Sequence, residues 1–240
     1  NKARNKGAWT ANVEPIARET NLRYLDWVNA RAKMVEELSG GRIGYLHLPN
    51  TAIDGNRELH KRFLPQVTKD ALIIDDRYNG GGFIPDRMIE ILSRKTMNYW
   101  KFRGLKPNAT PLIAHDGPKA MLINGYSSSG GDALPYYFRK FGLGKLIGTR
   151  TWGGLIGISG NPGLADGGLL LASTFRIMDT EGNWVVENEG VAPDIEVIDR
   201  PELIHAGKDP SLERAVKELL KELAENPRKS IKAPAAPTKF

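Results

Sequence analysis

The apolar positions Leu22, Leu25, Val28, Ala32, Val35 and Leu38 recur every three or four residues, the spacing that keeps one face of a helix against a core. Gly40 and Gly41 follow and stop the pattern, as glycine does past a helix end. RIGYLHL then predicts a strand, Asp54 a cap for a helix carrying Leu59, Phe63, Leu64 and Val67, and ALIID a short buried strand. The cycle repeats with a helix through Met88, Ile89, Ile91 and Leu92, a strand AMLIN at 120–124, a helix from about Ser129 to Phe141, and the strand KLIGT. Buried strands separated by helices imply a largely parallel sheet with helical crossovers.

Beyond Thr151 the chain becomes glycine-rich and then offers GLLLAS, TFRIMD and NWVVE, with TEGN as a turn, which predicts a β-rich segment. DPSLERAVKELLKELAEN predicts a last amphipathic helix, with Asp209 at its cap and Pro210 in its first turn. Residues 227–240, with few apolar positions and three prolines, predict a disordered tail. Residues 1–19 are polar, with a strand-like piece from Val13 to Ala17, and fit the tail of a preceding domain. The expected fold is therefore α/β, with one main domain at 20–226.

Composition narrows the possibilities. Of 240 residues, 40% are hydrophobic and 26% charged, enough for one sizeable core and ordinary for a globular chain. No apolar run approaches the roughly 18 residues of a membrane helix, and the first residues lack the apolar segment of a signal peptide. The expectation is thus no membrane partner, with the cytoplasm as the default compartment. The chain opens on Asn1, as expected of a processed or partial polypeptide. With no cysteine, disulfides and Cys-based sites are excluded. The net charge of +6 draws on Arg94, Lys95, Lys101, Arg103 and Lys106, which surround Tyr99, Trp100 and Phe102. With no nucleic-acid motif beside them, these read as a solvated edge rather than a nucleic-acid surface.

Chemistry in parallel sheets gathers at the carboxyl ends of strands. Two loops stand there. DRYNGGGF follows ALIID, and its glycines Gly80, Gly81 and Gly82 let backbone amides face a substrate unobstructed. GYSSSGGDA follows MLIN and places Ser127, Ser128 and Ser129 at a helix start, where free amides and the positive dipole end suit an oxyanion beside a nucleophile. Other motifs fail on spacing: Ser129 has Ser127 where a hydrolase elbow needs its preceding glycine, GLGKL is no phosphate loop, and the triple glycine is no dinucleotide fingerprint.

IIDDRYNGGGF, then LINGYSSSGGDALPYYF, then GTRTWGG and NWVVENEGVAPDIEV, in this order, resemble the tricorn and tail-specific serine peptidases, with a catalytic domain of the Clp-protease/crotonase type. The match runs from about residue 21 to 225. This resemblance implies that Ser129 is the nucleophile, that Asn124 and Ser127 belong to its motif, and that the amides of Gly81 and Gly130 form the oxyanion hole. Gly154 stands where the tail-specific branch has its lysine base, so the histidine-using tricorn branch fits better, with Glu187 as the residue that orients the histidine. That histidine is expected before Asn1, residues 1–19 resembling the end of a PDZ-like domain. His47, His60, His115 and His205 are expected to be structural or surface residues.

Asp132 is expected to support the helix or a nearby loop. Gly130 replaces an aspartate of the tricorn pattern, and no acidic residue between Ser93 and Ala114 corresponds to the one that selects basic side chains there. The resemblance further implies peptide substrates, homo-oligomers and no metal or cofactor. Two alternatives stay open: a catalytically incomplete binding or assembly module, and a crotonase-like acyl-CoA enzyme.

Overall fold

The computed structural model describes residues 9–228 and 231–235. In chain order the elements begin with α1 (Thr20–Ser39), β1 (Ile43–His47), α2 (Ile53–Phe63), a 3-10 turn (Leu64–Gln66), β2 (Ala71–Asp75) and α3 (Pro85–Ser93). There follow β3 (Asn98–Trp100), β4 (Asn108–Thr110), β5 (Lys119–Ile123), α4 (Gly130–Lys140) and β6 (Gly144–Gly148). The last are β7 (Ile156–Gly157), β8 (Phe175–Arg176), β9 (Ile195–Glu196), α5 (Pro201–His205) and α6 (Pro210–Glu225).

Five strands form one parallel sheet in the order β1-β2-β5-β6-β9. Their alternating side chains feed two cores. Leu46, Leu72, Ile74, Met121, Ile123 and Leu146 meet Leu59 and Phe63 of α2, Met88 and Leu92 of α3, and Leu134 and Phe138 of α4. Ile43, Tyr45, Ile73, Leu122 and Ile147 point the other way, against Val28 and Val35 of α1 and Leu212, Val216 and Leu219 of α6. Burial on both faces of β1, β2 and β5 explains why these three strands are largely apolar rather than alternating.

Gly40 ends α1 at φ 58°, and Gly41 N–H bonds the Glu36 carbonyl at 2.8 Å. The start of α2 differs from the sequence expectation. Asn50 caps it, its Oδ1 accepting from Ala52 N at 3.1 Å and Gly55 N at 2.9 Å, while Asp54 lies inside the first turn, 3.5 Å from Arg57. Asp209 caps α6, accepting from Leu212 N at 3.2 Å.

The segment after Thr151 is less regular than its apolar pattern predicts. GLLLAS forms no strand and leaves Leu169, Leu170 and Leu171 exposed, and only β7 and β8 pair, with bridges at Gly163–Leu169 and Met178–Trp184. Residues 13–17 form no strand and lie exposed. In the expected tail, residues 227–228 and 231–235 carry no regular structure, and residues 1–8, 229–230 and 236–240 lie outside the described residues. No helix among the described residues is long and apolar enough to cross a membrane.

Candidate active site

Neighbouring strands β2 and β5 end side by side, so the glycine loop and the serine loop emerge together at the carboxyl edge of the sheet. Hydrogen bonds stitch them. Ser127 Oγ donates to the Asp76 carbonyl at 2.8 Å, and Ser128 N to the Asn79 carbonyl at 2.9 Å. Asn124 Oδ1 accepts from Tyr78 N at 3.2 Å and Tyr126 N at 3.1 Å, one from each loop.

Ser129 is the residue before α4, at φ 56°, ψ −116°. A non-glycine residue there is strained, and the surrounding contacts hold it. Ser128 O accepts from Gly131 N at 2.7 Å, and Ser129 O from Asp132 N at 2.9 Å and Ala133 N at 3.0 Å. Gly130 is buried, and a Cβ on it would lie 1.9 Å from Thr51 Oγ1 and 2.4 Å from Gly82 O. The aspartate of the tricorn pattern has no room at that position.

In the glycine loop, Gly81 has φ 86° and Gly82 φ 140°, and a Cβ on Gly81 would meet Ser129 Cβ. The Gly81 N–H donates to Asn79 Oδ1 at 2.9 Å. Among the described hydrogen bonds none uses the N–H of Gly82 or of Gly130. Gly82 N lies 2.9 Å from where a Gly130 Cβ would sit, so these two amides are neighbours. A run of three glycines in the sequence does not reveal which of their amides a side chain engages.

Glu187 reaches the site from a kinked segment in which Val186 and Asn188 have φ 69° and 66°. Asn188 N bonds the Gly153 carbonyl at 2.7 Å, tying this segment to the GTRTWGG turn. Ser129, Gly82, Tyr137, Trp152, Ile156 and Glu187 line one cleft. Glu187 Oε2 is buried there without a hydrogen-bond partner, a state that favours an added donor or cation. Asp132 is fully buried and accepts from Gly153 N at 2.7 Å, and burial raises its carboxyl above the ordinary range. It therefore supports the 151–154 turn.

No histidine lines the cleft. His47 bonds the Arg77 carbonyl at 2.9 Å and the Tyr24 hydroxyl at 3.1 Å, His60 the Asn56 carbonyl at 2.8 Å, and His115 the Lys69 carbonyl at 3.0 Å. Among the described residues no cluster of acids and histidines could hold a metal ion.

A family profile, peptidase family S41, matches residues 42–197. The chain belongs to peptidase family S41. It is 38% identical over 220 residues to tricorn protease homolog 1 of Streptomyces coelicolor, covering 92% of this chain and 21% of that protein. To the tricorn protease of Thermoplasma acidophilum it is 39% identical over 202 residues, 84% of this chain and 19% of the other. The S41 chain thus spans about a fifth of the length of these relatives. A crystal structure of the tricorn protease superposes with a TM-score of 0.81 at 38% identity, covering 85% of this chain and 20% of that one. The photosystem II D1 C-terminal processing protease shares the fold, with a TM-score of 0.52 at 21% identity over 74% of this chain and 46% of its own.

Proposed function

We propose that this S41 chain is the catalytic part of a serine peptidase that cleaves peptides through an acyl-enzyme at Ser129. The observation that carries the proposal is the strained Ser129 at the start of α4, beside the unengaged amides of Gly130 and Gly82 and in one cleft with Glu187. Ser129 Oγ attacks the peptide carbonyl carbon and gives its proton to a histidine from outside this chain. The C–N bond breaks, the proton passes to the departing amine, and water releases the acyl group by the same route. Glu187, with its bare Oε2, orients that histidine.

The Gly130 amide supplies one oxyanion donor and the glycine loop the other. With the Gly81 N–H held by Asn79, Gly82 is the open amide of that loop and Gly81 shapes it. Each such donor is worth about 10²- to 10³-fold in rate, and loss of the general base about 10⁶-fold. The relatives named tricorn protease support peptide substrates for this chain as well.

The test is fluorophosphonate labelling of Ser129 in the natural full-length protein and in the 240-residue chain, with a Ser129→Ala control. Strong labelling of the full-length protein and weak labelling of the chain is expected. Equal strong labelling of both removes the external base, and no labelling of either leaves a binding or assembly module.

A further inference from the structure

Asn79 is wholly buried, and each of its polar groups is in use. The Gly81 N–H needs an acceptor, so Oδ1 faces it at 2.9 Å, which turns Nδ2 to Asp76 Oδ1 at 2.8 Å. Asn79 N–H donates to the Asp76 carbonyl at 3.2 Å, and the Asn79 carbonyl receives the Ser128 N–H at 2.9 Å. One residue therefore grips the glycine loop by its side chain and the serine loop by its backbone. Across it, a Cβ on Gly131 would lie 2.6 Å from the Asn79 carbonyl oxygen, so α4 presses directly on this residue.

Asp76 anchors the other end. It is fully buried, its backbone N–H bonds the Leu122 carbonyl at 2.9 Å, and its carbonyl receives Ser127 Oγ. Its Oδ2 has no partner, and burial holds the carboxyl well above the ordinary range, with Asp75 and Asp132 pushing the same way. A buried acid with a single amide partner is costly, and here it fixes the amide that orients the glycine loop.

We propose that Asp76 and Asn79 form a buried strut that sets the spacing between the glycine-loop amides and Ser129, so that transition-state stabilisation depends on it and substrate binding does not. The proposal rests on the acyl-transfer reading above. Asp76 and Asn79 are positioning residues, since neither lines the cleft. With the Gly81 N–H held by Asn79, the next amide is left open toward Gly130. Released, the glycine loop loses the register that faces both amides to one oxygen, and misplacement of about 1 Å costs on the order of 100-fold.

The experiment uses the natural full-length protein with Asn79→Ala, Asn79→Asp and Ser129→Ala. Peptide turnover is measured, together with binding of a peptide aldehyde, whose carbonyl carbon takes Ser129 Oγ while its oxygen takes the hydroxyl proton. For Asn79→Ala, kcat and aldehyde affinity are expected to fall about 100-fold together, with KM within about threefold. Folded protein with unchanged kcat, or unchanged aldehyde affinity, overturns the strut.

Asn79→Asp keeps the shape and the acceptor for Gly81, but its second oxygen bonds Asp76 only while the two carboxyls share a proton. The groups facing this pair are Asp75, itself paired with Arg77, Asp132 from α4 and the Ser127 hydroxyl. The ratio of Asn79→Asp to unsubstituted kcat is expected to rise as pH falls, the general base cancelling in the ratio. A flat ratio overturns the strut and decides the matter alone should Asn79→Ala not fold. Turnover surviving Ser129→Ala sinks the acyl-transfer reading instead. An inactive Ser129→Ala beside an unaffected Asn79→Ala sinks the strut only.

Discussion

Gly81 and Ser129 touch across the two loops: a Cβ on Gly81 would stand 2.7 Å from Ser129 Cβ and 2.9 Å from the Ser128 carbonyl. Gly81→Ala must therefore displace Ser129 or its own loop, from a φ of 86° that alanine already resists. The left-handed backbone costs about 1 to 2 kcal/mol and the overlap about 1 to 3 kcal/mol. A fall in kcat of about 100-fold or more is expected, with a lower unfolding midpoint. Full activity in the variant would show that the loops are not in contact during turnover.

Asp132 holds the Gly153 amide. Asp132→Ala leaves that buried N–H without its acceptor, at a cost of about 1 to 3 kcal/mol. Asp132→Asn keeps an acceptor and removes a titration. Because burial raises the folded carboxyl above its ordinary value of 3.8, its favourable contribution is present below that pH and is lost as pH rises through the folded value. The stability of Asp132→Asn relative to the unsubstituted chain is expected to improve with rising pH, as measured by urea midpoints across the acid to neutral range.

His115 is buried, its Nδ1 has no partner, and burial together with Lys119 lowers its pKa from 6.5 to about 4. The imidazole is neutral when folded, so its contribution is complete above pH 6.5 and disappears as pH falls toward 4. The loss amounts to about 3 kcal/mol over that window. His115→Gln, which can still donate to the Lys69 carbonyl, is expected to have a flatter stability profile between pH 7 and pH 4. Parallel profiles for the two proteins would assign the acid sensitivity elsewhere.

Arg77 is buried among Asp75 at 2.7 Å, Asp209 at 2.8 Å and Asp199 at 3.1 Å. Removing a buried partner strands charge, at about 3 to 5 kcal/mol. Asp209→Ala also loses the α6 cap. It is expected to destabilise by at least about 3 kcal/mol, against about 1 kcal/mol for the partly exposed Asp199→Ala. Equal losses in chemical denaturation would contradict this ranking.

The sheet, its helices and the two loops were legible because the central strands are short, mostly apolar runs and the main helices keep one apolar stripe. The cap of α2 is not visible in the sequence pattern, which points to Asp54, since Asn50 acts from outside the helix through a loop that carries no periodicity. The 168–173 run has the hydrophobicity of a strand, yet no partner strand pairs along it. At the candidate site, Ser129, Glu187 and the glycine loop stood out by motif. Asp76 and Asn79 did not, because their importance lies in burial and in bonds made between two loops, neither of which is a property of local spacing. The Arg77 cluster was hidden for the same reason: its partners come from positions 75, 199 and 209.

The hairpin between β7 and β8 has a separate consequence. Its turn, where Gly167 N bonds the Leu164 carbonyl at 3.0 Å, is exposed. Everything after it returns to the main body through β9 on β6, the Asp209 carboxylate on Arg77, and α6 across the sheet. A single nick by an added protease at 165–167 would divide the polypeptide into two pieces that stay clasped, Ser129 on one and Glu187 on the other. The two pieces, produced separately and mixed, are expected to find each other, so that this S41 domain behaves as a natural split protein whose site is completed by fragment reassociation.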